Sequence, residues 1–125
     1  MRSRGDVDAW YNKGYALFES DKCNEAIEAI DTALSINPDD TKSWILRGNT
    51  LMALEKYDEA IEAYDHALNR CPEDSNSWLK KATALYSLGR YEDTITACEQ
   101  ALRFDSEEYM AMLYLDMARK EHKTE

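Results

Sequence analysis

The fold is decided by residues 41–74, TKSWILRGNTLMALEKYDEAIEAYDHALNRCPED, because the sequences on both sides repeat them. The three tryptophans of the chain are separated by 34 residues each time. Residues 7–40 match residues 41–74 at 14 of 34 positions, and residues 75–108 match them at 10 of 34. Average amino-acid usage would give about two matches by chance. A fixed period of this length is typical of stacked supersecondary units.

Each unit has the apolar spacing of two helices. In residues 41–74, Trp44 and Leu51 belong to a first helical pattern, and Ile61 and Leu68 belong to a second one. We therefore predict helices over residues 7–20, 23–36, 41–54, 57–70, 75–88 and 91–104, with a seventh over residues 108–122.

Proline and aspartate mark the boundaries between units. Pro38 and Pro72 are expected to end the second helix of a unit, because proline cannot continue a helix. The pairs Asp40-Thr41 and Asp74-Ser75 follow, and their side-chain oxygens are expected to cap the next helix.

Small residues indicate where the two helices of a unit approach each other. Gly14 is expected to face Ala26 in the first unit, and Gly48 is expected to face Ala60 in the second. A glycine inside a helix costs up to ~1 kcal/mol, so its recurrence indicates a close contact.

Composition narrows the class of protein. The chain has 125 residues, 44% of them hydrophobic and 32% charged, which indicates one globular domain spanning residues 1–125. Its net charge of −10 disfavours nucleic acid as a partner. No apolar run is long enough to span a membrane. The start of the chain lacks an apolar leader, and the three cysteines form no CxxC pair, so we expect a cytoplasmic protein.

The repeated pattern resembles the tetratricopeptide repeat. The first two units carry it as Trp10, Gly14, Leu17, Ala26 and Pro38, and as Trp44, Gly48, Leu51, Ala60 and Pro72. The third unit keeps it more loosely as Trp78, Ala82, Leu85 and Thr94. The resemblance covers residues 7–108. It implies an all-α, right-handed solenoid of three helix-turn-helix units (residues 7–40, 41–74 and 75–108) followed by a C-terminal capping helix.

The resemblance also implies a function. Members of the family are non-catalytic modules that bind a segment of another protein, so we expect a protein or peptide partner, no enzymatic activity and no cofactor. The first helix of each unit should line a concave groove. The candidate groove residues are Tyr11, Asn12, Tyr15, Leu46, Asn49, Lys80, Thr83 and Tyr86. Phe18, Met52 and Leu79 are also expected to face the groove.

One subclass of the family holds a C-terminal carboxylate in a clamp of lysine, asparagine and arginine side chains. Those positions are occupied here by Tyr11, Tyr15, Leu46, Asn76 and Lys80. A start one unit later gives Ile45, Asn49, Lys80, Met110 and Tyr114. Each set keeps one suitable residue, so we expect no such clamp.

A family position usually held by leucine carries Lys13, Arg47 and Lys81 here. We expect their aliphatic stems to cover a neighbour while their charges stay outside. The tryptophan that recurs in each unit is expected to lie in the core. No zinc or calcium spacing and no catalytic triad is visible, so we predict no metal site and no catalytic residue.

The seventh helix leaves alternatives open. Its first half is apolar nearly all round. As a cap it would pack Met112 and Leu115 on the third unit, with Leu113, Tyr114 and Met117 closing the groove. As a homodimer interface it would use Met110, Leu113, Tyr114 and Met117. Such an interface would make the chain a self-assembly module, and a longer repeat array would equally cover this surface.

Overall fold

The computed structural model describes residues 4–124, and over that range it contains seven α-helices and no strand. The helices are α1 (Arg4–Glu19), α2 (Cys23–Ile36), α3 (Thr41–Ala53), α4 (Tyr57–Arg70), α5 (Ser75–Ser87), α6 (Tyr91–Phe104) and α7 (Tyr109–Thr124). Each helix packs on the next one, and the odd-numbered helices also contact one another along one side. The result is the expected all-α helical repeat solenoid. None of these helices is long and apolar enough to cross a membrane.

The helix boundaries follow the prediction with small differences. α1 begins at Arg4 rather than at residue 7, and α7 covers Tyr109–Thr124 rather than residues 108–122. The additional residues precede Asp8, which Lys42 of α3 binds with an Nζ–Oδ1 distance of 2.6 Å.

The turn inside each unit has one geometry, repeated at the 34-residue spacing. Asp21, Glu55 and Gly89 have φ values of 64°, 59° and 76°. In each turn the following residue donates its N–H to a carbonyl five residues back, as Lys56 does to Leu51 at 2.9 Å. This is the Schellman end of a helix, which favours glycine at the left-handed position. Only the third unit has glycine there.

The turn between units is closed by tryptophan. The indole Nε1 of Trp44 donates to the carbonyl of Pro38 at 2.7 Å, and Trp78 bonds Pro72 in the same way at 2.7 Å. These bonds tie the first helix of a unit to the turn before it. The indoles are half-buried rather than fully enclosed.

The prediction that aspartate side chains cap the backbone of α3 and α5 was wrong. Asp40 and Asp74 do precede α3 and α5, but their carboxylates accept no hydrogen bond from the helix backbone. They accept instead from the buried hydroxyls of Ser43 and Ser77. The serine three residues into the helix competes with the backbone N–H groups for the same oxygen.

The close approach inside each unit is made mainly by a large side chain of the second helix. A Cβ on Gly48 would lie 2.6 Å from Cε1 of Tyr64, and a Cβ on Gly14 would lie 2.8 Å from Cγ1 of Ile30. The glycines therefore make room for a large side chain of the second helix. In the first unit the carbonyl of Ala26 also lies close, 3.5 Å from the Cβ position of Gly14, as expected, whereas Ala60 is not among the nearest neighbours of Gly48. The third unit carries Ala82 and Cys98 at these positions, so a larger residue faces a smaller one.

Ion pairs link consecutive units at the position where leucine was expected. Nε of Arg47 lies 2.8 Å from Oδ1 of Asp31, and Nζ of Lys81 lies 2.7 Å from Oδ1 of Asp65. Both cationic side chains are largely covered, with exposed fractions of 24% and 22%. Their charges therefore bind a carboxylate of the preceding unit instead of pointing into solvent.

Candidate functional site: the concave pocket and the exposed helix α7

A pocket of about 500 Å³ lies on the side where the odd-numbered helices meet. Most of its lining comes from α3, α5 and α7, with one residue each from α1 and α4. The lining residues are Phe18, Asn49, Met52, Tyr64, Leu79, Lys80, Thr83, Ser87, Met110 and Tyr114. We refer to this as the concave pocket.

The concave pocket brings together part of the predicted groove set. Asn49, Lys80 and Thr83 line it. Met110 and Tyr114, proposed from the sequence as interface residues, line it as well. α7 therefore closes one end of the groove.

Other predicted groove residues lie elsewhere. Leu46 is only 3% exposed and packs with Ala26, Ile30 and Leu34 in the core, so it presents no surface to a ligand. Position 46 faces back towards α2, which is why an apolar side chain is buried there. The remaining four, Tyr11, Asn12, Tyr15 and Tyr86, lie outside the concave pocket.

The aromatic members of that group are engaged with their own neighbours. The rings of Tyr11 and Tyr15 lie 6.4 Å apart on α1, and Tyr15 is 48% exposed. Tyr86 packs against Tyr91 and Tyr114 with ring centroids 5.3 and 5.5 Å away. Tyr86 therefore supports the wall formed by α7 rather than the floor of the concave pocket.

Asn49 is held in one orientation by a buried tyrosine. The hydroxyl of Tyr64 donates to Oδ1 of Asn49 at 2.6 Å, and burial raises the pKa of Tyr64 far above its ordinary value. Because its oxygen accepts this bond, the amide nitrogen of Asn49 is left to donate to another group. Asn49 therefore offers a fixed donor to a ligand in the concave pocket.

Lys80 is the cation of the concave pocket. Its side chain is half-buried, and no carboxylate of residues 4–124 forms an ion pair with it. The hydroxyl of Thr83 donates to the carbonyl of Lys80 at 2.7 Å, and that of Ser87 donates to Thr83 at 3.0 Å. The donors that remain for a ligand are thus the Lys80 ammonium and the Asn49 amide.

The lysine at the other end of the concave side is already neutralised. Lys42 binds Asp8 at 2.6 Å and lies 4.8 Å from the ring centroid of Tyr11. The hydrogen bond lowers the pKa of Asp8 and raises that of Lys42. Positive charge available to a ligand is therefore concentrated at Lys80.

Tyr64 and Ser87 line the concave pocket but were not predicted. Tyr64 belongs to α4, and a second helix was not expected to reach this side. Its ring passes through the space left by Gly48, so that glycine was the signal from which it could have been found.

α7 is held by two alanines and exposes several large residues. Ala111 and Ala118 are fully buried, while Tyr114, Leu115 and Met117 are half-buried. The exposed large residues are Tyr109 at 76%, Met110 at 48%, Met112 at 42% and Leu113 at 50%. Leu115 packs on the third unit as expected, but Met112 does not. The short alanine side chains let α7 sit close, so the flanking Met112 points away.

Neither nucleophiles nor metal ligands are assembled in the described part of the chain. No group of three or more histidine, cysteine or acidic side chains within it could hold a metal ion. Burial raises the pKa of the Cys98 thiol to about 11, so it stays protonated near neutral pH. Cys23 is also buried, and Cys71 is half-buried in the turn before α5.

Comparisons with known families agree with the architecture. The family model described as tetratricopeptide repeat matches residues 45–109. A second model, described as anaphase-promoting complex, cyclosome, subunit 3, matches residues 1–67. None of the curated proteins matches the chain.

Solved structures with the same architecture are distant in sequence. The Arabidopsis OM64 TPR domain is 20% identical with a TM-score of 0.88, and the alignment covers 93% of this chain and 96% of that one. The first TPR of Spaghetti (RPAP3), bound to the HSP90 peptide SRMEEVD, is 17% identical with a TM-score of 0.90 and 94% coverage of both chains. MamA from Desulfovibrio magneticus RS-1 is 22% identical with a TM-score of 0.87, covering 97% of this chain and 70% of that one. These likenesses show the fold.

Proposed function

Because the chain belongs to the tetratricopeptide repeat family, we propose that it is a non-catalytic binding module that holds a peptide segment of a partner protein in the concave pocket. The observation that carries this proposal is Lys80, a half-buried ammonium with no carboxylate partner among residues 4–124, set among apolar side chains. A cation in such a place attracts an anionic group, and the apolar lining suits a neighbouring side chain.

The chemistry of the concave pocket narrows the peptide. Lys80 binds an acidic side chain or a terminal carboxylate, and Asn49 donates to a backbone carbonyl. Phe18, Met52 and Leu79 receive an apolar side chain next to the acid. A structural neighbour is described as bound to the peptide SRMEEVD, which also carries acidic and apolar residues side by side. The five-residue carboxylate clamp is absent, so we expect a single anchoring charge instead.

The test is binding to an array of short peptides at low ionic strength. We expect the wild type to select peptides with an acid beside an aliphatic residue, and Lys80→Glu to weaken them at least about tenfold. Lys56→Glu makes the same charge change on the exposed α3–α4 turn and is the matched control. Both variants are checked for unchanged helical circular dichroism. Equal peptide binding by Lys80→Glu and wild type would overturn the proposal.

A second function is favoured by the exposed residues of α7. Tyr109, Met110, Met112 and Leu113 form an apolar surface that a second copy of the chain would cover. Half-buried Met117 borders it. Self-association through α7 predicts a mass that rises towards two chains in sedimentation equilibrium, from micromolar to millimolar protein. Leu113→Glu combined with Met117→Glu should keep the mass at one chain. A wild type that stays at one chain throughout excludes this function.

A further inference from the structure

The boundary between the second and third units shows how this fold covers the outer face of a first helix. On α5, Trp78, Lys81 and Leu85 form one continuous face. α4 lies over it, placing Ile61 beside Trp78 and binding Lys81 through Asp65 at 2.7 Å. The gap that remains between the helices has a volume of about 200 Å³.

The same face is open on α1. Trp10, Lys13 and Leu17 stand two repeat lengths before Trp78, Lys81 and Leu85. They line a pocket of about 480 Å³ together with Glu25, Glu28, Ala29 and Thr32 of α2. No residue of 4–124 takes the place that Ile61 and Asp65 occupy at the inner boundary. We refer to this open pocket as the α1 face.

Lys13 marks the α1 face as incomplete. Its counterparts Arg47 and Lys81 each bind an aspartate of the preceding helix. Lys13 has no carboxylate partner within residues 4–124 and lies 5.0 Å from the ring centroid of Trp10. The aspartate carboxylate that binds the basic residue at each inner boundary therefore has no counterpart beside Lys13 among residues 4–124.

We propose that the α1 face binds an amphipathic helix of another protein that carries isoleucine or leucine followed four residues later by aspartate. This spacing places both side chains on one face of a helix, one turn apart. The inner boundaries contain it as Ile27 with Asp31 and as Ile61 with Asp65. The aliphatic residue packs on Trp10, and the aspartate binds Lys13.

A second copy of this chain does not supply such a helix. Asp31 and Asp65 are already bound to Arg47 and Lys81 within the chain. Glu99, at the same position of α6, is approached by Arg119 of α7 at 3.9 Å. The acidic side chains of α2, α4 and α6 at this position therefore already lie next to a basic residue of the same chain. The α1 face also shares no residue with the concave pocket, so this inference is independent of the peptide site.

The probe is a fluorescent synthetic helix with the sequence of α4, residues 57–70. A hydrocarbon staple on its exposed side keeps it helical, because an isolated helix of this length is marginal in water. We expect saturable binding by fluorescence anisotropy, weakened at least about tenfold by Lys13→Glu. Lys22→Glu, on the exposed turn after α1, is the matched control and should bind as the wild type does. Lys80→Ala should also leave this binding unchanged.

A charge exchange gives the decisive outcome. The probe with Asp65→Lys should bind the wild type at least about tenfold more weakly and should recover on the Lys13→Glu protein. Recovery requires that the two side chains meet, which a loss of folding cannot imitate. Absence of binding at millimolar probe, or equal binding of both probes to both proteins, would overturn the inference.

Discussion

At the scale of the single residue, the turn inside each unit has one position with a positive φ, and only the third unit has glycine there. Glu55 adopts φ 59°, where a side chain costs about 1 kcal/mol that glycine avoids. We therefore expect Glu55→Gly to raise the free energy of unfolding by up to about 1 kcal/mol, measured by urea denaturation.

The reverse change at the matching position is its control. Gly89 has φ 76°, and a Cβ there would meet nothing within 4 Å, so the cost of alanine is conformational alone. Gly89→Ala should lower the free energy of unfolding by about 1 kcal/mol. Shifts of the same sign in both variants would contradict this account of the turn.

For a substitution of Gly48, helix propensity and packing predict opposite effects on stability. Propensity alone predicts that Gly48→Ala stabilises the chain by about 1 kcal/mol. A Cβ at 2.6 Å from the Tyr64 ring predicts the opposite, because Asn49 anchors that ring. We expect a loss of about 1–3 kcal/mol, as for other overpacked sites. A raised midpoint in thermal or urea unfolding would show that the ring moves freely.

The cysteines should differ in reactivity. At pH 8 the Cys98 thiol, with its pKa raised to about 11 by burial, is protonated and enclosed, and Cys23 is enclosed too. We expect one thiol, Cys71, to react rapidly with a disulfide reagent, and all three to react in denaturant. A Cys71→Ser variant with no rapid phase confirms the assignment, whereas a persisting rapid phase contradicts it.

At the scale of the element, tryptophan fixes the joint between units. Trp44→Phe removes the bond from Nε1 to the Pro38 carbonyl and leaves that carbonyl without its donor. Trp10 makes no such bond within residues 4–124, so Trp10→Phe is the matched control for the change in size. We expect Trp44→Phe to cost about 1–2 kcal/mol more than Trp10→Phe in urea unfolding. Equal losses would mean that the bond contributes nothing.

The elements were predictable from the sequence, and their ends less so. The apolar period placed the six helices of the three repeats, and the apolar stretch after residue 108 indicated the seventh. The start of α1 was missed, since residues 4–6 precede the repeated pattern, which begins at residue 7. The exposure of Met112 was missed as well, because Ala111 and Ala118 decide which side of α7 is buried.

The candidate site was predictable only in part. Asn49, Lys80 and Thr83 line the concave pocket because groove positions repeat with the unit. Leu46 shares its repeat position with Lys80, yet it is buried against α2. The period gives the position, but the size and polarity of the neighbours decide whether that position reaches solvent. Those neighbours come from other helices, so the sequence around a position does not reveal them.

At the scale of the whole molecule, stability should be graded along the stack. α3 and α4 contact helices on both sides, whereas α1 and α7 lie at the ends. Repeat proteins open from their ends, because each unit is stabilised by its neighbours. In native-state hydrogen exchange, we expect amides of α3 and α4 to exchange more slowly than those of α1. Equal protection in all helices would instead indicate all-or-none opening.

The ion pairs between units would allow two consecutive copies of residues 41–74 to bind each other. Within this segment, Arg47 binds Asp31 of the preceding unit, and Asp65 binds Lys81 of the following unit. A duplicated copy inserted after residue 74 would set its own Arg47 against Asp65 of the original and its own Asp65 against Lys81. Tandem duplication of the coding segment would thus lengthen the array with these ion pairs already matched.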